Sequence, residues 1–438
     1  MIQTVRNAWR IPELRKKILF TLLILLIYRL GNAVPVPFVN LNALSEYFNS
    51  VGNTALGLLN AMSGGAFSQA TIFALSIQPY INSSIIIQLL TVAIPALERM
   101  QKDGGEEGRK KLAAITRYTT VAIALLQGFG YYALIKANGI LTDTSIWAAI
   151  VIIATFTAGS AFLMWLGEQV TEFGIGNGIS IILFASIVSR MPTMVYSLFI
   201  GVRNHYSGVA LEEGANNISA LGLIGIIIGV LAIVVFIVYI SNAERRIPIQ
   251  YAKRVVGRKM YGGQSSHLPI KVNMAGVMPI IFAQAIASLP ATIAAFMPKP
   301  ADGTFWAGFL GVFQTTSILY VVVYFLLILG FSYFYASVQF NPIEISNNLK
   351  KNGGFIPGFR PGKPTADFIR NVLGKITLFG AIYLAVVAIV PIVAGNIISV
   401  ASLSIGGTSI IIVVSVALET VKAMEAQMLM RHYKGFLE

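Results

Sequence analysis

The chain has 438 residues, of which 56% are hydrophobic and only 11% are charged, and its formal net charge is +14. Soluble domains carry about 25% charged residues, so this composition excludes an ordinary soluble protein and indicates a membrane protein. The absence of cysteine excludes disulfides, thiol catalysis and thiolate metal sites. The basic excess is typical of the cytoplasmic loops of membrane proteins, which explains it better than nucleic-acid binding does.

Ten apolar segments follow one another along the chain, each near the length of about 20 residues that a helix needs to cross a bilayer. They predict an all-α, polytopic transmembrane bundle, because helices satisfy their own backbone hydrogen bonds in lipid. The first segment resembles a signal peptide, but Arg29 interrupts its end and further segments follow, so we interpret it as an uncleaved span. The segments are 18–37, 72–97, 112–135, 146–167, 179–201, 220–241, 273–297, 312–337, 376–396 and 404–422.

The distribution of basic residues predicts the orientation. With the N-terminus inside, the loops on that side contain 27 of the 32 Lys and Arg residues, which places both termini in the cytoplasm. The halves 1–210 and 211–438 then hold five spans each and enter the membrane from opposite faces, which suits an inverted repeat. Two large cytoplasmic loops, at about 242–272 and 338–375, contain glycines, prolines and aromatics typical of ordered loops, and their charge suits an acidic protein or RNA partner.

A weakly apolar segment at 54–67 precedes the second span and is too short to cross the bilayer. It is either an amphipathic loop outside the membrane or a short re-entrant helix in a cavity, because irregular backbone at membrane depth needs protein or water around it. Polar residues also interrupt the apolar spans, and such residues commonly form hydrogen bonds between helices. Gln78, Gln88 and Asn273 are examples, and they indicate an interface that is only moderately sealed.

Ionisable residues are nearly absent from the span centres, since Glu168 and Glu419 lie near cytoplasmic ends. This disfavours a small-molecule secondary transporter, the main alternative, which needs a charged or ion-ligating site within the membrane. No His-Glu-x-x-His motif is present and the three histidines lie outside the spans, so we predict no metal site, no catalytic residues and no enzyme.

Two glycine-containing segments resemble nucleotide-binding motifs only superficially. Segment 174–178 follows a predicted helix rather than a strand, and segment 357–364 has proline where a phosphate loop needs its first glycine and its Ser or Thr. We therefore predict no cofactor, and energy for any transport must come from a partner. A membrane-insertion or scaffold protein without an aqueous pore is a further alternative, but it gives no reason for the segment at 54–67.

Short motifs over nearly the whole chain resemble those of the SecY family, the channel subunits of bacterial preprotein translocases. They occur in the order of the family and together with ten spans, which makes the resemblance specific. Phe359 stands where a smaller aliphatic residue is expected. The motifs are IPELR (11–15), MSGG (62–65), IFAL (72–75), QLL (88–90), EFGIGNG (172–178), RRIP (245–248), YAKR (251–254), KVNMAGV (271–277), GFRPG (358–362) and GGTS (406–409).

The resemblance implies an hourglass pore between two inverted five-helix halves, with a lateral gate to lipid between spans 2 and 3 and spans 7 and 8. Its constriction is an aliphatic ring, which excludes water and ions when empty and deforms around a passing chain. By position, this ring maps onto Ile77, Ile81, Ile179, Leu183, Ile281 and Ile412. Segment 54–67 would be the plug, with Leu58, Leu59, Met62, Ser63, Gly64 and Gly65, and the polar gate positions would be Gln88, Thr116 and Asn273.

The implied function is that of the central translocase channel, which conducts unfolded secretory preproteins and releases membrane segments sideways. An apolar signal sequence that wedges into the gate gains burial in lipid and so favours the open state. The implied partners are SecE, SecG, the SecA ATPase motor, the ribosome and membrane lipid, at the bacterial inner (plasma) membrane. The cations implied to dock SecA or the ribosome are Arg246, Arg254, Arg258, Lys259 and Arg360, the last on a turn restricted by proline and glycine.

Overall fold

Helices make up most of the computed structural model, which describes residues 2–50, 56–57, 60, 63–207, 219–251, 254–256, 259–261, 265–274, 276–295, 317–398 and 401–434. The all-α bundle expected from the sequence is confirmed. The first half contains α1 (Ile2–Arg10), α2 (Pro12–Gly31), α3 (Leu41–Ser50), α4 (Gln78–Ala93), α5 (Pro95–Lys102), α6 (Gly105–Ala137), α7 (Ile146–Phe173) and α8 (Gly178–Ser207). The second half contains α9 (Ala220–Asn242), α10 (Met278–Ala295), α11 (Ile318–Gln339), α12 (Pro342–Lys351), α13 (Lys363–Ile398) and α14 (Ala401–Lys434).

Local chemistry sets several helix starts. The Ser145 hydroxyl accepts a hydrogen bond from the Ala148 amide at 3.2 Å at the start of α7, and Ser219 accepts one from Gly222 at 3.1 Å at the start of α9. Each of these bonds satisfies an amide that has no partner within its helix. Helices α2, α4, α5 and α12 instead have proline in their first two positions, where the missing amide hydrogen costs nothing.

The second apolar segment is a bent helix pair rather than one straight span. Ile94 adopts an extended conformation before Pro95, as residues that precede proline prefer, and α4 and α5 meet there at 101°. The predicted start of this span at residue 72 was wrong, because residues 63–77 form turns and α4 begins at Gln78. The predicted end of the first span at residue 37 was also wrong, because α2 ends at Gly31 and the following chain forms a β-bridge from Pro35.

Each of the ten predicted apolar segments overlaps a helix or this bent pair. Within the described residues, 6 helices are long and apolar enough to cross a membrane, or up to 7 when the bent pair counts as one span. Helix α10 contributes a shorter apolar helix, Met278–Pro290, within the residues searched. The structure therefore agrees with a multi-pass helical protein, and the count of ten spans stays a prediction.

The two basic loops contain β-structure that the sequence analysis did not predict. Strand β1 (Glu244–Tyr251) pairs antiparallel with β4 (Ser265–Lys271) and with β5 (Gly354–Phe355). Strands β2 (Arg254–Val256) and β3 (Lys259–Tyr261) form a separate hairpin. Because β5 belongs to the second loop, the loops share one sheet. Its buried face packs on α12 and α13 through Ile247, Ile249, Ile270, Leu349, Ile356, Ile369 and Leu373.

The largest hydrophobic cluster joins both halves of the chain, and it includes residues of α2, α4, α7 and α8 from the first half and of α9, α10, α11, α13 and α14 from the second. Helix α4 contacts α10 across the boundary between the halves. A second cluster lies within the first half, around the segment that precedes α4. It contains Val36, Leu44, Phe48, Leu56, Phe67, Ala70, Ala74, Leu75, Tyr131, Tyr132, Leu134, Ile135, Ile140, Ile152 and Phe156.

Candidate functional site

The six aliphatic residues expected to form a ring all belong to the cluster that joins the two halves. Five of them are at least 95% buried, and Ile179 is half-buried. They come from the turn before α4, from α4 itself and from α8, α10 and α14, so both halves contribute. The members are Ile77, Ile81, Ile179, Leu183, Ile281 and Ile412. Their aliphatic side chains offer no polar group that could bind water or an ion.

A glycine on α7 makes room for two ring residues. A Cβ atom at Gly167 would lie 3.2 Å from Cγ1 of Ile179 and 3.5 Å from Cδ1 of Ile77. The distance to Ile77 is an ordinary van der Waals contact, whereas a larger residue here would require the Ile179 side chain to shift by a few tenths of an ångström. This residue was not singled out by sequence reasoning, because an isolated glycine in an apolar helix is common in membrane proteins.

The segment that precedes the second span is buried and folded back on itself. Leu56, Gly57 and Asn60 are helical and buried, and turns follow from Ser63. Its backbone is held by its own side chains: the Ser63 hydroxyl donates to the Asn60 carbonyl at 3.0 Å and accepts from the Phe67 amide at 3.1 Å. This burial favours the re-entrant interpretation over an exposed loop. Three predicted plug residues, Leu58, Leu59 and Met62, lie outside the described residues.

Side chains from three helices hold this segment in place. The Tyr28 hydroxyl of α2 hydrogen-bonds the Ser186 hydroxyl of α8 at 2.6 Å and donates to the Ser63 carbonyl at 3.4 Å. The Tyr131 hydroxyl of α6 donates to the Phe67 carbonyl. Tyr28, Tyr131 and Ser186 are almost completely buried, and sequence reasoning missed all three. Tyrosine and serine within apolar helices gave no signal that they would meet this segment.

The two glycines of the segment are in left-handed conformations but in different surroundings. Gly64 has φ +71° and lies against α8, so a Cβ atom there would be 2.9 Å from the Ser186 carbonyl oxygen. Gly65 has φ +90°, and a Cβ atom there would have nothing within 4 Å. Glycine adopts such angles without steric cost, which explains why both positions carry it. Gly64 additionally allows close contact with the wall of the bundle.

No hydrogen bond joins the three polar gate positions within the described part of the chain. The Ser83 hydroxyl of α4 donates to the Thr116 carbonyl of α6 at 2.8 Å, which ties these two helices together. The Oε1 atom of Gln88 is buried and has no hydrogen-bond partner among the described residues. Asn273 instead lines a small cavity with Ser332 and Thr377, residues of its own half. The structure thus brings Thr116 close to α4, and it places Asn273 beside α11 and α13.

Of the predicted docking cations, Arg360 is the best defined. It is exposed on a turn between Gly358, with φ +87°, and Gly362, with φ +102°. The turn is anchored from both sides: Thr365 Oγ1 donates to the Arg360 carbonyl at 2.8 Å, and Ser346 Oγ donates to the Gly362 carbonyl at 2.7 Å. The exposed Arg360 side chain therefore extends from a backbone that is fixed by hydrogen bonds.

The other cations of the cytoplasmic loops differ in whether they form ion pairs. Arg246 pairs with Glu244 of its own strand at 2.7 Å, and its docking role stays a prediction. Lys102 pairs with Glu98 at 2.6 Å, and this hydrogen bond lowers the pKa of the Glu98 carboxyl. Arg360 forms no ion pair with any residue that the structure describes. Arg254 and Lys259 lie in the β2–β3 hairpin, and their side chains, like the whole of Arg258, are outside the described part.

A cavity of about 640 Å³ opens beside the aliphatic ring and was not anticipated. Its lining is mixed, with the half-buried Ile179 next to charged and polar residues of α6 and α7. Arg117 and Glu168 form an ion pair at 2.9 Å within it. Within the described ranges no three His, Asp or Glu side chains are grouped as metal ligands. The cavity therefore places charged and polar side chains next to one residue of the aliphatic cluster, Ile179.

A multi-pass helical bundle with an aliphatic cluster between its halves and a buried segment before the second span is the architecture of a membrane channel. Residues 71–421 match the SecY family. The chain is 43% identical to the protein translocase subunit SecY of Streptomyces scabiei and 41% identical to that of Mycobacterium tuberculosis (strain ATCC 25618 / H37Rv), with 100% of both chains covered in each case. This chain belongs to the SecY family.

Solved structures show the same fold at lower sequence identity. A protein-conducting channel superimposes with a TM-score of 0.64 and 19% identity, covering 94% of this chain and 92% of the other. Sec61 in the canine ribosome-channel complex from the endoplasmic reticulum gives 0.60 and 17%, with the same coverage. A SecY structure whose plug domain stabilises the closed channel gives 0.62 and 18%, covering 94% and 92%. These similarities confirm the channel fold.

Proposed function

We propose that the aliphatic ring is the constriction through which this protein, a translocase subunit and protein-conducting channel of the SecY family, passes polypeptides. The observation that carries the proposal is the convergence of six aliphatic residues from both halves into one buried cluster. Without a chain in transit, the burial of these side chains in one cluster removes apolar surface from water and keeps the pathway shut. A polypeptide has to replace these contacts with its own side chains.

We assign the buried segment around Asn60–Phe67 as the plug that seals the channel outside the ring. Among the described residues, Tyr28 and Tyr131 each donate one hydrogen bond to this segment, and a backbone carbonyl of the segment accepts each of them. A segment held by a small number of bonds can be displaced by a passing chain and can return afterwards. The packing of Phe67 against Tyr131, with ring centroids 4.5 Å apart, adds an apolar contact to the closed position.

The halves 1–210 and 211–438 act, in this proposal, as two walls that separate at a lateral gate. Helix α4 contacts α10 there, and Ser83 binds the backbone of α6 at Thr116. The unpartnered buried oxygen of Gln88 makes this wall less stable than a fully apolar one. An apolar signal sequence that enters between α4 and α10 gains contact with lipid, which stabilises the open gate. The comparisons give no support to the secondary transporter alternative.

The two basic loops form the docking surface for the partner that supplies energy. They share one sheet, and Arg360 extends from a fixed turn beside it. Since canine Sec61 and the yeast Ssh1 complex are related structures bound to ribosomes, a ribosome is one such partner, and the SecA motor is the other. SecE and SecG complete the channel complex in the bacterial cell membrane, with both termini in the cytoplasm.

Site-specific disulfide crosslinking tests the pore assignment, because the chain contains no cysteine that would interfere. We expect Ile281→Cys to form a disulfide with a single cysteine placed in a preprotein that is stalled in transit. The matched control is Leu231→Cys on α9, whose side chain is 58% exposed on the outside of the bundle. Equal crosslinking at both positions, or crosslinking only at Leu231, would reject the assignment.

A further inference from the structure

Helix α1 carries a two-sided surface that the channel function does not use. Its inner face packs on α14: Ala8 is fully buried there, next to Met424, and the Thr4 hydroxyl donates to Glu425 at 3.0 Å. These contacts fix the rotation of α1 about its axis. Its opposite face is consequently held away from the bundle rather than free to turn inward.

The outer face combines apolar and cationic side chains in adjacent rows. Val5 and Trp9 are spaced four residues apart and are 43% and 45% exposed. Arg6 and Arg10 have the same spacing and are also exposed. Side chains four residues apart lie next to each other on a helix, so the two rows run side by side. Neither arginine forms an ion pair within the described part of the chain.

The position of α1 along the chain places this face near the edge of the hydrocarbon layer. Helix α2 starts immediately afterwards at Pro12, and its apolar residues are exposed on the outside of the bundle from Leu19 onward, at 48% for that residue. At about 1.5 Å per residue, the cations Arg15 and Lys16 lie within about one turn of Leu19. We therefore expect helix α1 to lie at the level of the lipid headgroups.

We propose that the outer face of α1 binds the anionic headgroup surface of the bilayer. Exposed aromatic and aliphatic residues beside arginine are typical of helices that lie in the membrane interface. Trp9 and Val5 insert at the boundary between headgroups and acyl chains, and Arg6 and Arg10 bind lipid phosphates. An acidic protein or RNA would match the cations but would leave Val5 and Trp9 without an apolar partner. The surface anchors the N-terminal helix, and through Ala8 it also holds the end of α14.

Tryptophan fluorescence of the full chain in vesicles tests this proposal. The chain has four tryptophans, and replacing Trp147, Trp165 and Trp306 with Phe leaves Trp9 as the only emitter. Vesicles of phosphatidylcholine with or without phosphatidylglycerol carry bromine on the upper acyl carbons, which quenches nearby indole. We expect Trp9 to be quenched strongly in vesicles that contain phosphatidylglycerol and weakly in neutral ones.

Charge variants distinguish binding of the arginines to anionic headgroups from mere closeness of Trp9 to the bilayer. Each arginine at an anionic surface contributes about 5.5-fold to the bound-to-free ratio, so Arg6→Gln with Arg10→Gln lowers that ratio about thirty-fold. The matched control, Arg109→Gln with Lys110→Gln, removes the same charge from exposed positions of α6 and leaves quenching unchanged. Unquenched Trp9 in anionic vesicles would overturn the proposal and indicate an aqueous partner on this face. Quenching that does not depend on phosphatidylglycerol or on Arg6 and Arg10 would also overturn it.

Discussion

Replacing Gly64 with alanine tests how the plug is seated. An alanine at φ +71° is in the left-handed region, which costs about 1–2 kcal/mol for a residue with a Cβ atom. The new Cβ also lies 2.9 Å from the Ser186 carbonyl oxygen, a backbone atom of α8 that cannot move away as a side chain would. Overpacking of this kind costs about 1–3 kcal/mol more. Both costs arise only when the plug lies against α8. The variant therefore shifts the equilibrium of the plug from the closed position toward the displaced one.

The neighbouring glycine is the matched control. Gly65→Ala carries the same kind of conformational cost at φ +90°, but its Cβ atom has nothing within 4 Å. The difference between the variants therefore isolates the contact with α8. We expect single-channel recordings in planar bilayers to show that Gly64→Ala opens about tenfold more often than Gly65→Ala, since 1.4 kcal/mol is a tenfold change in an equilibrium. Equal opening of the two variants, at equal amounts of folded protein, would refute the seating of Gly64 on Ser186.

Two further predictions concern the ring and the docking turn. A carboxylate within the aliphatic ring attracts water, so we expect Ile281→Asp to raise the resting ion conductance of reconstituted channels. The conservative variant Ile281→Leu should leave this conductance near the wild-type value. Unchanged conductance in the folded Asp variant would contradict the proposed seal. Arg360→Glu is expected to abolish preprotein translocation in a vesicle assay and Arg360→Lys to impair it, because a guanidinium donates two parallel hydrogen bonds that an ammonium cannot. The control Lys363→Glu makes the same charge change three residues away and retains translocation, so loss in both variants would point to net charge alone.

The composition of the ring could be predicted, but not the way in which its members meet. Nearly every residue of the spans is apolar, on faces toward lipid as well as toward the core, so periodicity does not identify the inward face. The six positions came from the resemblance to the SecY family, and the structure places all six in one cluster. Tyr28 and Ser186 were missed for the same reason: nothing in the sequence near residue 28 or 186 indicates contact with a segment around residue 63.

The small sheet of β1, β4 and β5 could likewise be predicted only in part from the sequence. In β1 the buried residues Ile247 and Ile249 alternate with exposed ones, a pattern that is visible in the sequence. Strand β5 has only two residues, and it exists because Gln250 and Tyr251 of β1 offer it unpaired backbone groups. The ion pair between Arg246 and Glu244 likewise depends on the extended backbone that brings the two side chains together.

The sequence by itself determined the helical, multi-pass character of this protein and predicted its orientation. Insertion of a helix depends on the hydrophobicity of one segment and on the charges beside it, and 27 of 32 basic residues fall on one side of the predicted spans. Tertiary structure alone decided the 101° bend after α4, the burial of the segment that precedes α4 and the gathering of Ile81 and Ile412 into one hydrophobic cluster. These features depend on packing between segments far apart in the chain, and in a uniformly apolar sequence that packing leaves no local pattern to read.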